Sequence, residues 1–262
     1  MSGFTEGSGR EVSRYMRVNL RESGEGQMTG HAPVSKHLCG PNGVRTGALL
    51  TFIDNVGGIC GGLAALPDGW VVSTNLAARV VGDATVGPVR INASVLRRGR
   101  NKVVTAVHVR DEGANDLLVA DGVLTSAILV PENGPPQWER PVVLDAGAFE
   151  GNDAPPGLED WLGVHAVDDH TLEIALADEL RNPWGILHGG VVASLVDLTT
   201  AHASGGRTTD VALHFLAPNR VGPVRASATV LGDRSDGRVY RVDVRDTCAD
   251  RVTAVAMATA RE

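Results

Sequence analysis

Val86-Gly-Pro-Val-Arg90 occurs twice in this chain, because it returns unchanged as Val221-Gly-Pro-Val-Arg225. The match extends outward from the pentapeptide. At the same spacing, Val107-x-Val-Arg-Asp111 recurs as Val242-x-Val-Arg-Asp246. A repeat of this length is too large for a solenoid unit, so it indicates a tandem duplication of a whole domain.

The composition is that of a soluble globular protein, with 43% hydrophobic and 21% charged residues among 262. A net charge of −7 and an aromatic content of 4% disfavour nucleic acid as a partner. We see no apolar signal core at the N-terminus and no run that predicts a membrane span. A cytoplasmic protein with no membrane partner is therefore expected.

Prolines divide the chain, since six of the thirteen fall within residues 131–157. This pattern predicts an N-terminal unit at 1–135, a Pro-rich linker at 136–157 and a C-terminal unit at 158–262. Three cysteines without close spacing support neither a disulfide framework nor a zinc site, and we expect all three to be small buried residues: Cys39, Cys60 and Cys248.

Both units have the same predicted order of elements. In the first, we expect a strand at 15–20, a helix at 48–58, a glycine-rich insertion at 55–72, and strands at 71–81, 86–97, 103–111 and 117–130. In the second, we expect a hairpin of 162–167 and 171–177, a helix at 190–203, and strands at 211–216, 221–231, 239–246 and 252–260. One helix with a long antiparallel sheet predicts an α+β fold in which the sheet curls around the helix. Two such units can join edge to edge into one sheet.

The two predicted helices have similar sequences, GALLTFID at 47–54 and GVVASLVD at 190–197. On a helical wheel, Asp54 and Asp197 lie opposite the bulky apolar arc, on faces made of Ala, Ser, Thr and Gly. A lone Asp on a helix usually marks a solvated face. However, such a face normally carries Lys, Glu or Gln. Small residues instead indicate close approach by a backbone or a ligand, so each Asp is a candidate functional group.

The second helix opens with His188-Gly189-Gly190, whereas the first opens with Arg45-Thr46-Gly47. Amides at a helix N-terminus are unpaired, and glycines let a ligand approach them closely. An acyl carbonyl placed there would have its developing oxyanion stabilised. His188 taken alone could equally be a packed or capping side chain.

A longer stretch is far more specific. Asn182-Pro-Trp-Gly185-Ile-Leu-His188-Gly189-Gly190, followed seven residues later by Asp197, resembles the motif of PaaI-like hotdog-fold acyl-CoA thioesterases. The first half resembles it weakly, through Gly47 and Asp54. The whole chain looks like a double hotdog, in which two fused units mimic the usual homodimer.

The resemblance implies a catalytic site between the two units. The Gly189 amide would bind the thioester carbonyl, Asn182 and His188 would orient it, and Asp54 of the facing helix would act as nucleophile or general base. A second, pseudo-symmetric site would combine Asp197 with Asn42, Arg45 and Thr46, and it departs from the motif. The implied substrate contacts are Gly190, Gly58, Thr46 and Arg45. Charge for the CoA phosphates could come from Arg79, Arg97, Arg98, Arg100 and Lys102, which could also be ordinary solvated residues.

Three other functions stay open at this point. They are a hotdog hydratase or dehydratase, whose own Asp and His motif we do not find, a non-catalytic acyl-CoA-binding protein, and a structural dimerisation module. The leading prediction is an acyl-CoA thioesterase that needs no metal or other cofactor. We expect it to form a homodimer of double-hotdog chains.

Overall fold

The computed structural model describes residues 10–146 and 155–261, in which each half of the chain forms a helix with an antiparallel sheet. The helices of the first half are α1 Arg10–Tyr15 and α2 Thr46–Ala65. Its strands are β1 Asn19–Gly24, β2 Gln27–Ala32, β3 Cys39–Gly40, β4 Gly43–Val44, β5 Trp70–Val80, β6 Val89–Arg98, β7 Lys102–Asp111, β8 Leu117–Leu129 and β9 Val143–Leu144.

The second half repeats this order of elements. Its helices are α3 Leu158–Leu162 and α4 Gly189–Ser204. Its strands are β10 His165–Asp168, β11 Thr171–Ile174, β12 Arg207–Phe215, β13 Val224–Arg234, β14 Gly237–Asp246 and β15 Arg251–Arg261. The predicted α+β class is confirmed, as is the succession of long helix and four strands in each half.

Thirteen strands form one continuous antiparallel sheet, in the order β10-β11-β13-β14-β15-β12-β5-β8-β7-β6-β2-β1-β9. The two halves meet where β5 pairs with β12, with Leu76 opposite Leu213. Each half thereby covers what would otherwise be an exposed strand edge of the other. The edge-to-edge junction expected from the sequence is present.

The long helices α2 and α4 pack against this sheet and against each other. Their crossing is made of small residues: the Thr51 hydroxyl lies 2.9 Å from both the Gly190 carbonyl oxygen and Ser194 Oγ. A Cβ atom on Gly190 would lie 2.9 Å from Thr51 Cα, which is too close. The small residues that the helical wheel places beside each Asp therefore serve close approach of the two helices. Their apolar faces merge into one core that spans both halves.

Several expected boundaries are wrong in the first half. The strand expected at 15–20 is instead the end of α1 followed by a turn, and β1 begins later, at Asn19. The helix expected to end at Gly58 continues to Ala65, so most of the glycine-rich insertion is helical. Gly62 is tolerated there because the Trp70 ring packs on it, at a place where a Cβ would lie 2.6 Å from the ring. Tertiary packing here outweighs the low helix propensity of glycine.

In the second half, the stretch expected to begin a strand at Leu162 instead ends the short helix α3, and β10 begins at His165. Strand β11 ends at Ile174, three residues earlier than expected. Cys60 is buried as expected, but Cys248 is exposed in the turn before β15, so it is not a core residue. The other long strands agree with the sequence to within a few residues.

The repeated Val-Gly-Pro-Val-Arg and Val-Arg-Asp segments meet in space. The Asp246 carboxylate accepts N–H groups from Arg220, Val221 and Gly222, each at 3.0 Å. In the first half, Asp111 binds the loop before β6 in the same way, through Thr85, Val86 and Gly87. The duplicated sequence is therefore a structural device, in which one buried carboxylate ties a glycine turn to the sheet.

The predicted linker takes part in the first sheet, because β9 pairs with β1. Residues 147–154, also predicted to be linker, lie outside the described residues. By length and composition α2 could cross a membrane, a property that the sequence reading missed. Most of α2 is buried inside the protein, as the core helix of a soluble protein would be.

Candidate active site

The start of α4 lies at the junction of the two halves and carries an unpaired amide. His188 caps this helix: its Nδ1 accepts the N–H of Gly190 at 3.0 Å. The Gly189 N–H has no hydrogen-bond partner among the described residues. Since the positive end of the helix dipole lies behind it, this N–H is a ready donor for an anion or a polarised carbonyl.

Asp54 of α2 lies beside His188 and Gly189, which come from the other half of the chain. Its Oδ2 lies 3.3 Å from His188 Nδ1, and the carboxylate is 5% exposed. A Cβ atom on Gly189 would lie 2.7 Å from Asp54 Oδ1, so any other residue at position 189 would collide with the carboxylate. The close approach therefore requires glycine there. The structure brings together Asp54, His188 and Gly189, as the resemblance implies.

Burial lowers the pKa of His188, although the nearby Asp54 carboxylate acts in the opposite direction. At neutral pH the imidazole is therefore uncharged, and its contact with Asp54 is not an ion pair. Because Nδ1 accepts the Gly190 N–H, the imidazole proton lies on Nε2. His188 thus fixes the start of the helix and leaves one N–H donor for other partners.

Ser73 of β5 is part of this site, and the sequence reading missed it. Its hydroxyl donates to Asp54 Oδ1 at 2.7 Å. The register of β5 against β8 shifts between Ser73 and Asn75, and such a bulge redirects side chains locally. Ser73 belongs to no sequence motif. Its place beside Asp54 depends on the bulge, which the sequence does not reveal.

Asn182 lies in the loop that precedes α4. Its Oδ1 accepts the N–H of Trp184 at 2.9 Å, which closes the turn leading to His188. The Trp184 indole N–H in turn donates to the Val71 carbonyl oxygen of the first half, at 2.8 Å. Asn182 therefore shapes the loop, and Trp184 fastens it across the junction.

A cavity of about 390 Å³ opens beside these groups. Asp54, Asn182, His188 and Gly189 line it together with Gly58, and its remaining wall is mainly apolar. Three of the four tryptophans of the chain line it: Trp70, Trp138 and Trp184. A largely apolar cavity with a few convergent polar groups is the usual form of a small-molecule site.

The pseudo-symmetric position around Asp197 has a different structure. The Gly47 N–H at the start of α2 donates to Asp197 Oδ2 at 2.7 Å, so the carboxylate itself occupies the helix N-terminus. Burial raises the pKa of Asp197 to about 6, although the Gly47 N–H acts in the opposite direction. Asp197 does not line the cavity.

The other residues of this second position are also engaged elsewhere. The Thr46 hydroxyl donates to the Thr208 carbonyl oxygen at 2.8 Å, and Arg45 pairs with Glu159 at 2.9 Å. Asn42 is exposed in the turn between β3 and β4. Gly190, implied as a substrate contact, instead packs on Thr51 and does not line the cavity.

The basic residues considered for CoA phosphates also lie elsewhere. Arg79 pairs with Asp210 on the sheet, and Arg98 pairs with Asp68. Neither lines the cavity, nor do Arg97, Arg100 and Lys102. The one arginine or lysine in the described lining of the cavity is the exposed Arg220, which was not among the residues expected from the sequence.

Solved structures share this architecture over nearly the whole chain. A 12:0-ACP thioesterase from Umbellularia californica is 13% identical and has a TM-score of 0.61, with 90% of this chain and 94% of that one covered. A protein of unknown function with a hot dog fold from Alicyclobacillus acidocaldarius is 14% identical, has a TM-score of 0.62 and covers 96% and 98%. This chain has a double hotdog fold.

An acyl-ACP thioesterase from Bacteroides thetaiotaomicron is similar to this double hotdog chain in the same way, with 12% identity, a TM-score of 0.59, and 90% and 98% of the chains covered. The model of the Thioesterase superfamily matches residues 44–117, which is less than half of the chain. The match falls on the half that carries Asp54, not on the half with the His-Gly-Gly motif. The chain matches no curated protein sequence.

Proposed function

We propose that this double hotdog protein is a thioesterase that hydrolyses an acyl-CoA to the free acid and CoA. The observation that carries the proposal is the arrangement of Asp54 opposite the free Gly189 N–H at the edge of an apolar cavity. The Thioesterase superfamily match over residues 44–117 supports the same reaction class.

The groups present suffice for this chemistry. The Gly189 N–H binds the thioester oxygen, and the amide stabilises the negative charge that develops when the carbonyl is attacked. Asp54 either takes a proton from an attacking water or attacks the carbonyl itself, and the Ser73 hydroxyl holds the carboxylate in place. The carbon–sulfur bond then breaks and the thiolate takes up a proton. When water attacks, the acid is released at this point; when Asp54 attacks, water then hydrolyses the anhydride between the acyl group and Asp54 and so releases the acid.

Thiol release from acyl-CoA substrates tests the proposal. We expect Asp54→Asn to lower kcat/KM by at least about 100-fold, because loss of a catalytic acid–base group typically costs that much. Asp197→Asn serves as the matched control and should stay within a few-fold of the wild type. Loss of activity in Asp197→Asn with full activity in Asp54→Asn would overturn the assignment.

Thiol release, combined with two further measurements, separates the other candidate functions. Thermal stabilisation by acyl-CoA without thiol release would favour a non-catalytic binder, and hydration of an enoyl-CoA without thiol release would favour a hydratase. Some structural neighbours are named for acyl-ACP, so the substrates should include both carriers. Hydrolysis of acyl-ACP alone would retain the reaction and exclude CoA as the carrier. A homodimer of these chains remains a prediction from the sequence.

A further inference from the structure

The part of the cavity beside Gly58 forms an open lane, which runs along α2 away from Asp54. Gly58 lies four residues after Asp54, on the same side of the helix, and lines the cavity. A Cβ atom on Gly58 would meet no atom within 4 Å. Its neighbour Gly57 differs, since a Cβ there would lie 2.9 Å from Val107. The space beside Gly58 is therefore part of the cavity and not a packing contact.

The lane ends at a pair of tryptophans. Trp70 packs on Gly62, which lies two helical turns beyond Asp54, a rise of about 12 Å along α2. The Trp138 ring stacks on Trp70 with centroids 6.1 Å apart and planes 19° apart. Both tryptophans line the cavity. Ile59 also lines it and lies between Asp54 and Gly62 in the sequence of α2.

Trp138 belongs to the segment that joins the two units, and this segment is fastened to the first unit. Arg140 pairs with Glu22 of β1, and the Val142 N–H donates to the Glu22 carboxylate at 3.0 Å. Strand β9 then pairs with β1. Pro136 and Leu144, on either side of Trp138, line the cavity as well. The described part of the connecting segment, up to Leu144, is thus held in place and forms one wall of the cavity.

We propose that the acyl group lies along α2 from Asp54 over Gly58, and that Trp138 of the connecting segment closes the far end and limits acyl length. This inference rests on the proposed thioesterase function. The wall of the cavity is mainly apolar and the lane ends at aromatic rings, so the acyl groups that fit are apolar groups short enough to stop at Trp138. A segment that exists because two units are fused would then determine substrate choice.

Acyl-chain profiles of two opposite variants test the proposal, measured as kcat/KM over saturated straight-chain acyl-CoAs of increasing length. Trp138→Ala should raise the ratio of activity on long chains to activity on short chains by about tenfold or more, since one methylene in an apolar pocket changes discrimination about 10-fold or more. Gly58→Leu should lower that ratio by a similar factor, because its side chain fills the lane. The controls are Gln137→Ala, an exposed neighbour of Trp138, and Gly232→Leu, where a Cβ also meets open space away from the cavity.

An unchanged length profile in both variants of an active enzyme would overturn this inference and leave the thioesterase proposal intact. Should the wild type release no thiol from any acyl-CoA or acyl-ACP, the thioesterase proposal fails, and thermal stabilisation by straight-chain fatty acids of graded length then tests the lane directly. The length that stabilises best should increase in Trp138→Ala and decrease in Gly58→Leu. If Trp138→Ala does not fold, Gly58→Leu alone decides, because an unchanged length profile in it contradicts the proposal.

Discussion

Asp54 and Asp197 occupy corresponding positions on two related helices, yet their surroundings give them different chemistry. Asp54 faces a glycine and borders the cavity, whereas Asp197 accepts the Gly47 N–H and does not border it. The difference begins with one residue at the start of the opposite helix, Gly189 in one case and Thr46 in the other. A side chain at position 189 would collide with Asp54, whereas Thr46 carries a side chain at the corresponding start of α2.

Gly189→Ala should lower kcat/KM by about 100-fold or more, because its Cβ would displace Asp54 from the amide that binds the carbonyl. The matched control is Gly232→Ala, where the added Cβ meets no atom within 4 Å. Steady-state kinetics on one acyl-CoA, with melting temperatures of both variants, provide the measurement. Equal activities in the two variants would show that catalysis does not depend on the contact between Asp54 and Gly189.

Asp197 should make the protein less stable as pH rises through the range from about 4 to about 6. Its folded-state pKa of about 6 lies above the ordinary value of 3.8, so the folded state binds the proton more tightly than the unfolded state does. Two pKa units correspond to roughly 3 kcal/mol. Asp197→Asn cannot titrate. Urea unfolding of both proteins should therefore show the wild type losing about that much stability relative to the variant between pH 4 and pH 7. A difference that does not change with pH would contradict the pKa.

Helix α4 and strand β5 show which parts of the site a sequence can reveal. The cap, the glycines and Asn182 lie within nine residues, so a short motif that resembles that of a known family is enough to point to the start of this helix. Ser73 depends on a bulge in β5, and Trp138 depends on the path of the connecting segment. Such placements arise from tertiary packing, which local spacing does not encode. The extension of α2 to Ala65 was missed for the same reason, since Trp70 and the sheet stabilise a glycine-rich helix.

The folded conformation of the loop before β13 should depend on the carboxylate of Asp246, which belongs to the repeated Val-Arg-Asp segment. Burial would raise the pKa of Asp246, but the N–H donors of the loop outweigh it and the pKa is lowered. Asp246→Asn should therefore reduce the free energy of unfolding at pH 7 by about 2 kcal/mol, as loss of hydrogen bonds to a charged group does. The exposed Asp169→Asn is the control. The Asp246 contribution should shrink as pH falls below about 4, and urea unfolding that shows no difference at pH 7 would refute it.

The whole chain places its site between two units that are covalently joined. Asp54 comes from the first unit and Gly189 from the second, and β5 and β12 hold them in one sheet. In a symmetric dimer of identical chains the same interface would create two equivalent sites. Here it creates one position that opens on the cavity and one in which the carboxylate caps a helix.

Mixing two inactive chains should not restore activity. Asp54→Asn and Gly189→Ala each damage the single composite site of their own chain, and no exchange of intact halves is needed for folding. Co-refolding the two variants and measuring thiol release should give no more activity than the sum of the separate variants. Recovery towards a quarter of the wild-type rate would indicate that the units pair between chains.

Fusion also frees the two copies from having to change together. In a dimer of identical chains, one sequence encodes both helix starts. A bulky residue that suits one helix start is then also present at the other. The β5–β12 junction keeps the partners in register while their sequences drift apart. A side chain such as that of Thr46 can therefore stand at one helix start while glycine is kept at the other, Gly189.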